Sequence, residues 1–239
     1  MKYHQMTRLF VANLLEREDI VLINHPDINY LLNVMRKKKG SQLLIFNKDM
    51  GEYLAEIIEI NHKKVIFRTL EKIRAYQPEI EMNLIFAPIK HSRIDFLLEK
   101  ATELGASKLT PIQTKHSVVD KINLNKWHLY VKEAAEQCGR LSIPEIKPLE
   151  KLDKFLLEWP QEQHIILCNE KEKNLSLAQY LKGHKQGINI MIGPEGGFSE
   201  AELAMLLKKN FITSVHLGPR ILRAETAVLS ALSYIGHII

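Results

Sequence analysis

Near the end of the chain the apolar positions gather into two short runs, 188–192 and 215–217, interrupted only by Asn189 and His216. Mostly apolar runs this short suit strands buried on both faces of a sheet. Each stops at a glycine-proline pair, Gly193-Pro194 and Gly218-Pro219, and each is followed by apolar residues at helical spacing. Repeated strand, break and helix predict a parallel sheet, with both loops on the edge beyond the carboxyl ends of its strands. That edge is where open α/β sheets bind ligands. The same alternation starts upstream, with strands predicted at 83–87, 109–112 and 165–168. A helix with Ile94, Leu97, Leu98, Ala101 and Leu104 on one face is expected to be capped by Ser92 and stopped by Gly105. A longer one over 126–141 carries Trp127, Tyr130, Val131, Ala134, Ala135 and a buried Cys138 on its apolar side. There Glu133, Gln137 and Arg140 share a face, which allows a surface ion pair between Arg140 and Glu133 or Glu136.

The first third is patterned differently. Strand-like runs at 7–11 and 20–23 precede a helix opened by His25-Pro26, with Ile28, Leu31, Leu32 and Met35 at helical spacing. Beyond Gly40 three runs, 43–46, 53–60 and 65–70, are separated by turn residues, which predicts a small barrel. The first domain is therefore drawn as 1–74, with 75–79 as linker and 80–239 as the second domain. The last helix, 224–239, is apolar nearly all round. Val228, Ala231, Leu232, Ile235 and Ile239 share one face, while Ala227, Leu229 and Tyr234 fall elsewhere. Such a helix is buried on more than one side. A subunit interface and burial against the N-terminal barrel both satisfy that requirement.

Composition adds bounds. The hydrophobic share of 46% and charged share of 26% are those of a soluble protein with a real core. No apolar run reaches membrane-spanning length, and MKYHQMTRLF contains no signal segment, so a cytoplasmic location is expected. Two cysteines and ten histidines fall at no metal or redox spacing, and no metal site is expected. Residues 1–74 hold 13 Lys and Arg against 9 Asp and Glu, a net of +4; the other 165 residues hold 20 against 19. A basic N-terminal part suits a phosphate backbone, and a solvated basic surface has the same composition. Arg36 to Lys39 carry the same ambiguity, since cations also suit a helix C-terminus.

The candidate chemistry lies in the two glycine-proline loops. In GPEGG, Gly196 and Gly197 permit positive φ and close approach by a ligand. Ser199 and Glu202 then form a capping box for a helix whose buried stripe is Leu203, Leu206 and Leu207. In PRILRAETA, Arg220 and Arg223 stand beside Glu225 and Thr226, with Ile221 and Leu222 needing apolar surroundings. No G-x-G-x-x-G follows a strand, and no Lys-Ser/Thr follows the glycines, so neither a Rossmann nor a phosphate-loop site is supported. Glu225, in the first turn of a helix, complements the helix dipole; Glu103, at a helix C-terminus, does not, and so calls for a partner or a task.

IGPEGGFSEAE followed by LGPRILRAETAVLSAL resembles the C-terminal signature of the RsmE family, the 16S ribosomal RNA uridine-N3 methyltransferases of the SPOUT class. KATELG at 100–105 and EAAEQCGR at 133–140, with Ile143-Pro144, resemble the same family. The resemblance implies an N-terminal PUA-like RNA-binding barrel and a SPOUT-type parallel sheet with a C-terminal trefoil knot. It implies S-adenosylmethionine as cofactor, 16S rRNA of the small ribosomal subunit as partner, and a homodimer. Carried onto this chain, the cofactor site comprises Leu167, Ile192, Gly193, Pro194, Gly196, Gly197, Leu217, Gly218, Ile221, Leu222 and Thr226. Arg223, Glu195 and Glu103 are the candidates for chemistry. Arg8, Arg36, Lys37, Lys90, Arg93 and Arg140 are the candidates for RNA contact. A non-catalytic ribosomal RNA-binding assembly factor with a SPOUT fold is the alternative, against which the intact glycines and the RAET segment argue.

Overall fold

The computed structural model describes residues 6–12, 20–23, 26–183 and 187–238. It divides into two compact units, Met1–Pro78 with Glu136–Ser142, and Glu79–Ala135 with Ile143–Ile239.

The first unit is built on five strands: β1 (Arg8–Phe10), β2 (Ile20–Ile23), β3 (Gln42–Asn47), β4 (Gly51–Ile60) and β5 (Lys64–Arg74). Their order is β1-β3-β4-β5-β2, antiparallel except for the β1–β3 pair. Register shifts between β4 and β5 mark bulges, which bend and twist the long hairpin. Leu9, Leu43, Ile45, Ala55, Ile57, Val65 and Phe67 belong to one buried core. Asn47 ends β3, and its Oδ1 accepts from the backbone N–H groups of Asp49 and Met50 at 3.1 and 2.9 Å. The helix expected after His25, itself outside the described residues, is short. α1 (Pro26–Asn29) passes into a π-helical turn over Tyr30–Val34 and ends with Arg36 at φ 50°.

The second unit contains β6 (Met82–Phe86), α2 (His91–Glu103), β7 (Lys108–Gln113), α3 (Leu124–Cys138), β8 (Glu145–Ile146) and β9 (Glu150–Lys151). There follow α4 (Leu152–Glu158), β10 (Ile165–Cys168), α5 (Leu177–Tyr180), β11 (Ile188–Ile192), α6 (Glu200–Leu207), β12 (Ile212–Val215) and α7 (Ala224–Ile238). The sheet is parallel throughout, in the order β12-β10-β11-β6-β7-β8, with β9 also paired to β7. Both faces are covered, so successive strand residues alternate between two apolar clusters. Ile188, Ile190 and Ile192 pack with α2, α3, α5 and α7, while Ile165, Leu167 and Met191 pack with α4 and α6. That is why INIMI is apolar on both faces, with Asn189 the exception, its amide bonded to Asn83 and to the His164 carbonyl.

Several local expectations shift. α2 begins at His91 with Lys90 as its N-cap residue, so Ser92 lies inside the helix. α3 stops at Cys138, which is exposed, because Gly139 takes φ 89° and leaves the helix. Arg140 therefore lies beyond the helix, and Glu136 Oε1 accepts from the Phe10 backbone N–H at 3.0 Å. β12 spans Ile212–Val215, so the strand expected at 215–217 shares only Val215 with it. Leu207 is half exposed, leaving Leu206 and the partly buried Leu203 as the stripe of α6.

Candidate functional site

Strands β10, β11 and β12 end level, with Cys168 opposite both Ile192 and Val215. The chain leaves β10 toward α5 on one face and β11 toward α6 on the other. Loops that part to opposite faces open a crevice between neighbouring strands at their carboxyl ends. A cleft of about 610 Å³, including its open mouth, lies there.

The three loops build its walls. After β10 come Cys168, Asn169 and Glu170; after β11, the run from Ile192 to Phe198 without Gly196; after β12, Leu217, Gly218, Arg220 and Leu222. Ala224 and Ala227 of α7 close the floor. Asn169 is buried and anchors the first loop. Its Nδ2 donates to Ser214 Oγ at 3.1 Å and its Oδ1 accepts from the Lys171 N–H at 3.0 Å. Burial pushes the Cys168 thiol up to about 12, so it lines the cleft as a neutral apolar group. In the third loop Gly218 stands at φ 119°, and its N–H donates to His216 Nδ1 at 3.1 Å. His216 is tied in turn by a parallel bridge to Ser176, the N-cap of α5.

The glycine loop is braced from outside by residues 114–117. His116 Nδ1 lies 3.0 Å from the Gly197 carbonyl and 3.3 Å from that of Gly196. Both partners are acceptors, so Nδ1 carries the hydrogen and donates. The Ser199–Glu202 capping box forms as expected, and the other Glu202 oxygen accepts from the Lys115 N–H at 2.7 Å. Burial works to raise the Glu202 carboxyl. The N–H groups of Lys115 and Ser199, the Ser199 hydroxyl and the His116 imidazole outweigh it, so the group is held below the ordinary carboxylate range. A depressed folded pKa contributes stability that is present above the unfolded value, about 4.3, and is lost as pH falls through the folded one. Glu202→Gln is therefore expected to flatten the stability loss below about pH 4.3, measured by urea unfolding at a series of pH values. A slope unchanged from wild type overturns the assignment.

Of the eleven residues expected to hold a cofactor, seven line the cleft: Ile192, Gly193, Pro194, Gly197, Leu217, Gly218 and Leu222. The side chain of Leu167 lies in the core against α4 and α6, and Gly196 sits against the His116 side chain. Ile221 is 85% exposed and Thr226 is exposed, so neither side chain forms the wall. Glu195 lines the cleft, whereas Arg223 is exposed on the approach to α7. Glu103 is not among the residues lining the cleft. It pairs with Lys100 at 2.6 Å in the last turn of α2, ten residues from Arg93 and so about 15 Å along the axis from that helix's cleft end.

The expected RNA contacts separate into two groups. Arg36 and Lys90 are exposed and Lys37 is partly so. Arg8 and Arg140 are turned inward. Arg8 Nε meets Glu52 at 2.6 Å, its other nitrogens donate to the carbonyls of Glu136 and Arg140, and its guanidinium stacks 4.1 Å over Phe46. Arg140 is buried and donates to Ser142 Oγ. Arg93 Nη1 meets Glu225 Oε1 at 2.7 Å and Glu195 Oε1 at 3.8 Å. Asn169 and Glu170 directly follow the strand expected at 165–168, and that position is the only signal the sequence carries for them. Phe198, Arg220, Ala224 and Ala227 carried no signal beyond their place in the two motifs, because which side of a loop faces a cleft is settled by packing.

Two family models match, an RNA methyltransferase PUA domain over residues 23–70 and an RNA methyltransferase domain over residues 76–236. The ribosomal RNA small subunit methyltransferase E of Rickettsia conorii is 30% identical over 239 residues, covering 98% of this chain and 96% of its own. That of Bacillus subtilis is 29% identical, covering 90% and 89%. A ribosomal RNA small subunit methyltransferase E from Neisseria gonorrhoeae, solved bound to S-adenosyl methionine, superposes with a TM-score of 0.85 at 25% identity over 98% of both chains. A putative methyltransferase from Legionella pneumophila, in complex with the same cofactor, gives 0.84 at 30% identity, again over 98% of both. With the catalytic-domain model spanning 76–236 and relatives aligned along nearly the whole length, the chain belongs to the ribosomal RNA small subunit methyltransferase E family.

Proposed function

We propose that this protein transfers a methyl group from S-adenosylmethionine to N3 of a uridine in 16S ribosomal RNA. The observation that carries the reading is the cleft itself, formed by three level loops whose glycines expose backbone to a ligand. The residues fit the group. Two carboxylates, Glu170 and Glu195, and one arginine, Arg220, line the cleft, a balance that favours a cationic ligand. Leu217, Leu222, Phe198 and Ile192 offer apolar surface for a flat ring. Gly197 at φ 69° lets main chain rather than side chain meet the ligand.

S-adenosylmethionine supplies an activated methyl group. The chain's task is then placement, bringing a uracil ring in line with the methyl and taking up the charge that develops on the base. Arg223, exposed beside the cleft, is positioned to meet negative charge on the uracil oxygens. Glu195 is the acceptor within the cleft wall for the N3 proton. A trefoil threading of the C-terminal segment belongs to the same reading, as does the division at 1–74 and 80–239, and a cytoplasmic location; among the described residues no helix is long and apolar enough to cross a membrane. Nucleoside mass spectrometry of small-subunit RNA from cells with and without the protein tests the function. An undiminished 3-methyluridine signal without it overturns the reading. An assembly factor without catalysis would bind the RNA yet leave that signal unchanged.

The RNA partner is met, in this reading, by the exposed cations of the basic N-terminal part. Arg36→Ala and Lys37→Ala are each expected to weaken RNA binding and to lower the slope of log affinity against log salt by about one unit. Cofactor affinity should be unchanged. Slopes equal to wild type would mean that this basic run is only solvated.

The homodimer rests on α7. Ile235 is fully buried within the protomer, so it does not face a partner. The opposite stripe, Ser230, Ser233, Tyr234, His237 and Ile238, is exposed or borders a second groove shared with Ser176, Leu177 and His216. Tyr234→Asp is expected to give monomers by light scattering, and a wild type already monomeric at micromolar concentration would end this proposal.

A further inference from the structure

Arg93 stands in the first turn of α2, where the positive end of the helix dipole opposes a cation and no acidic residue of that turn offsets it. It is compensated from two other elements. Its Nη1 donates to Glu225 Oε1 at 2.7 Å, in the first turn of α7, and lies 3.8 Å from Glu195 Oε1, in the glycine loop. One guanidinium thus touches both segments that wall the cleft after β11 and β12. A second observation points the same way. Glu225 Oε2 is buried and has no hydrogen-bond partner among the described residues. With one oxygen unsatisfied, the Glu225 charge depends on Arg93, and without it a carboxylate would be left buried and uncompensated.

We propose that Arg93 is a positioning residue of the methyl-donor site, the strut that sets the glycine loop and the RAET turn against each other, rather than a contact to RNA phosphate. This rests on the reading of the cleft as the S-adenosylmethionine site. The strut explains why a cation occupies an electrostatically poor helix position, since its Nη1 meets carboxylates on two separate segments. It also gives Glu225 a role beyond complementing its helix dipole.

The two roles for Arg93 make opposite predictions. As a strut, Arg93→Met should weaken S-adenosylmethionine binding about tenfold by calorimetry and leave the salt slope of RNA binding as in wild type. A phosphate contact would lower that slope by about one unit and leave cofactor affinity unchanged. Adding Glu225→Gln removes the stranded charge, so the double variant should bind the cofactor more tightly than Arg93→Met alone, a non-additivity expected only of interacting partners. Arg93→Lys, which keeps the charge, should bind the cofactor more tightly than Arg93→Met. Hydrogen exchange of the ligand-free proteins supplies the readout that does not need the cofactor. Amides at 193–198 and at 218–226 should exchange faster together in Arg93→Met. Unchanged exchange in both segments, or strictly additive effects in the cycle, overturns the strut. A wild type that shows no cofactor affinity overturns the reading of the cleft instead, and the exchange measurement still decides the strut.

Discussion

Gly197→Val is expected to abolish S-adenosylmethionine binding while the protein stays folded. Gly197 stands at φ 69°, a left-handed conformation that costs an L-residue about 1–2 kcal/mol and a β-branched one more. Its added Cβ would sit 3.5 Å from Glu170 Oε1, so the clash is small at the first atom. The damage comes from the branches, which extend into the cleft, and from relaxation of the strained loop out of its open form. Gly40 provides the control. It has φ 84° and nothing within 4 Å of an added Cβ, but it lies in the first unit. Gly40→Val should incur similar backbone strain and bind the cofactor as wild type does. Titration calorimetry on both, with circular dichroism to verify folding, separates a local effect from a general one. Undiminished affinity in folded Gly197→Val would sink the placement of the cofactor.

Arg8→Ala is expected to destabilise the protein by about 3 kcal/mol, the cost of breaking a buried charge pair from one side. Glu52 is nearly fully buried and is bridged by two arginines, Arg8 at 2.6 Å and Arg74 at 2.8 Å. Both also donate to carbonyls at and just beyond the end of α3, Arg8 to Glu136 and Arg140, Arg74 to Gly139. Cations there satisfy backbone groups left over by the helix and complement its dipole. Without Arg8, Glu52 keeps the half-exposed Arg74 as its ion-pair partner among the described residues, and two carbonyls lose this donor. Urea unfolding of the whole protein measures the loss. The salt slope of RNA binding should not change. A stable Arg8→Ala protein with a reduced slope would return Arg8 to the RNA surface.

These two residues show how far the chain could be read without coordinates. Gly197 was legible because a glycine pair after a buried strand and before a capped helix has few uses, and local chemistry states most of them. Arg8 was not. As a cation in a basic segment it is indistinguishable from Arg36, and its acceptors lie 44 residues away at Glu52 and more than 120 away on the end of α3. Glu103 makes the related point that a poor helix position can be relieved by a neighbour, here Lys100 at 2.6 Å. Arg93 holds an equally poor position at the other end of the same helix, and its relief comes from the cleft.

What the sequence determined by itself was a set of features governed by short-range order. The apolar runs placed β10 and β11 to the residue, and Ser199 with Glu202 set the start of α6. The glycine-proline breaks put two loops on one sheet edge. Tertiary structure alone decided which side chains face the cleft, which arginines are turned inward, and which side of α7 is left uncovered. Period and propensity report on neighbours within about four positions. The partners of Arg8, Arg93 and Ile235 are brought together only when strands and helices distant in sequence pack around common cores.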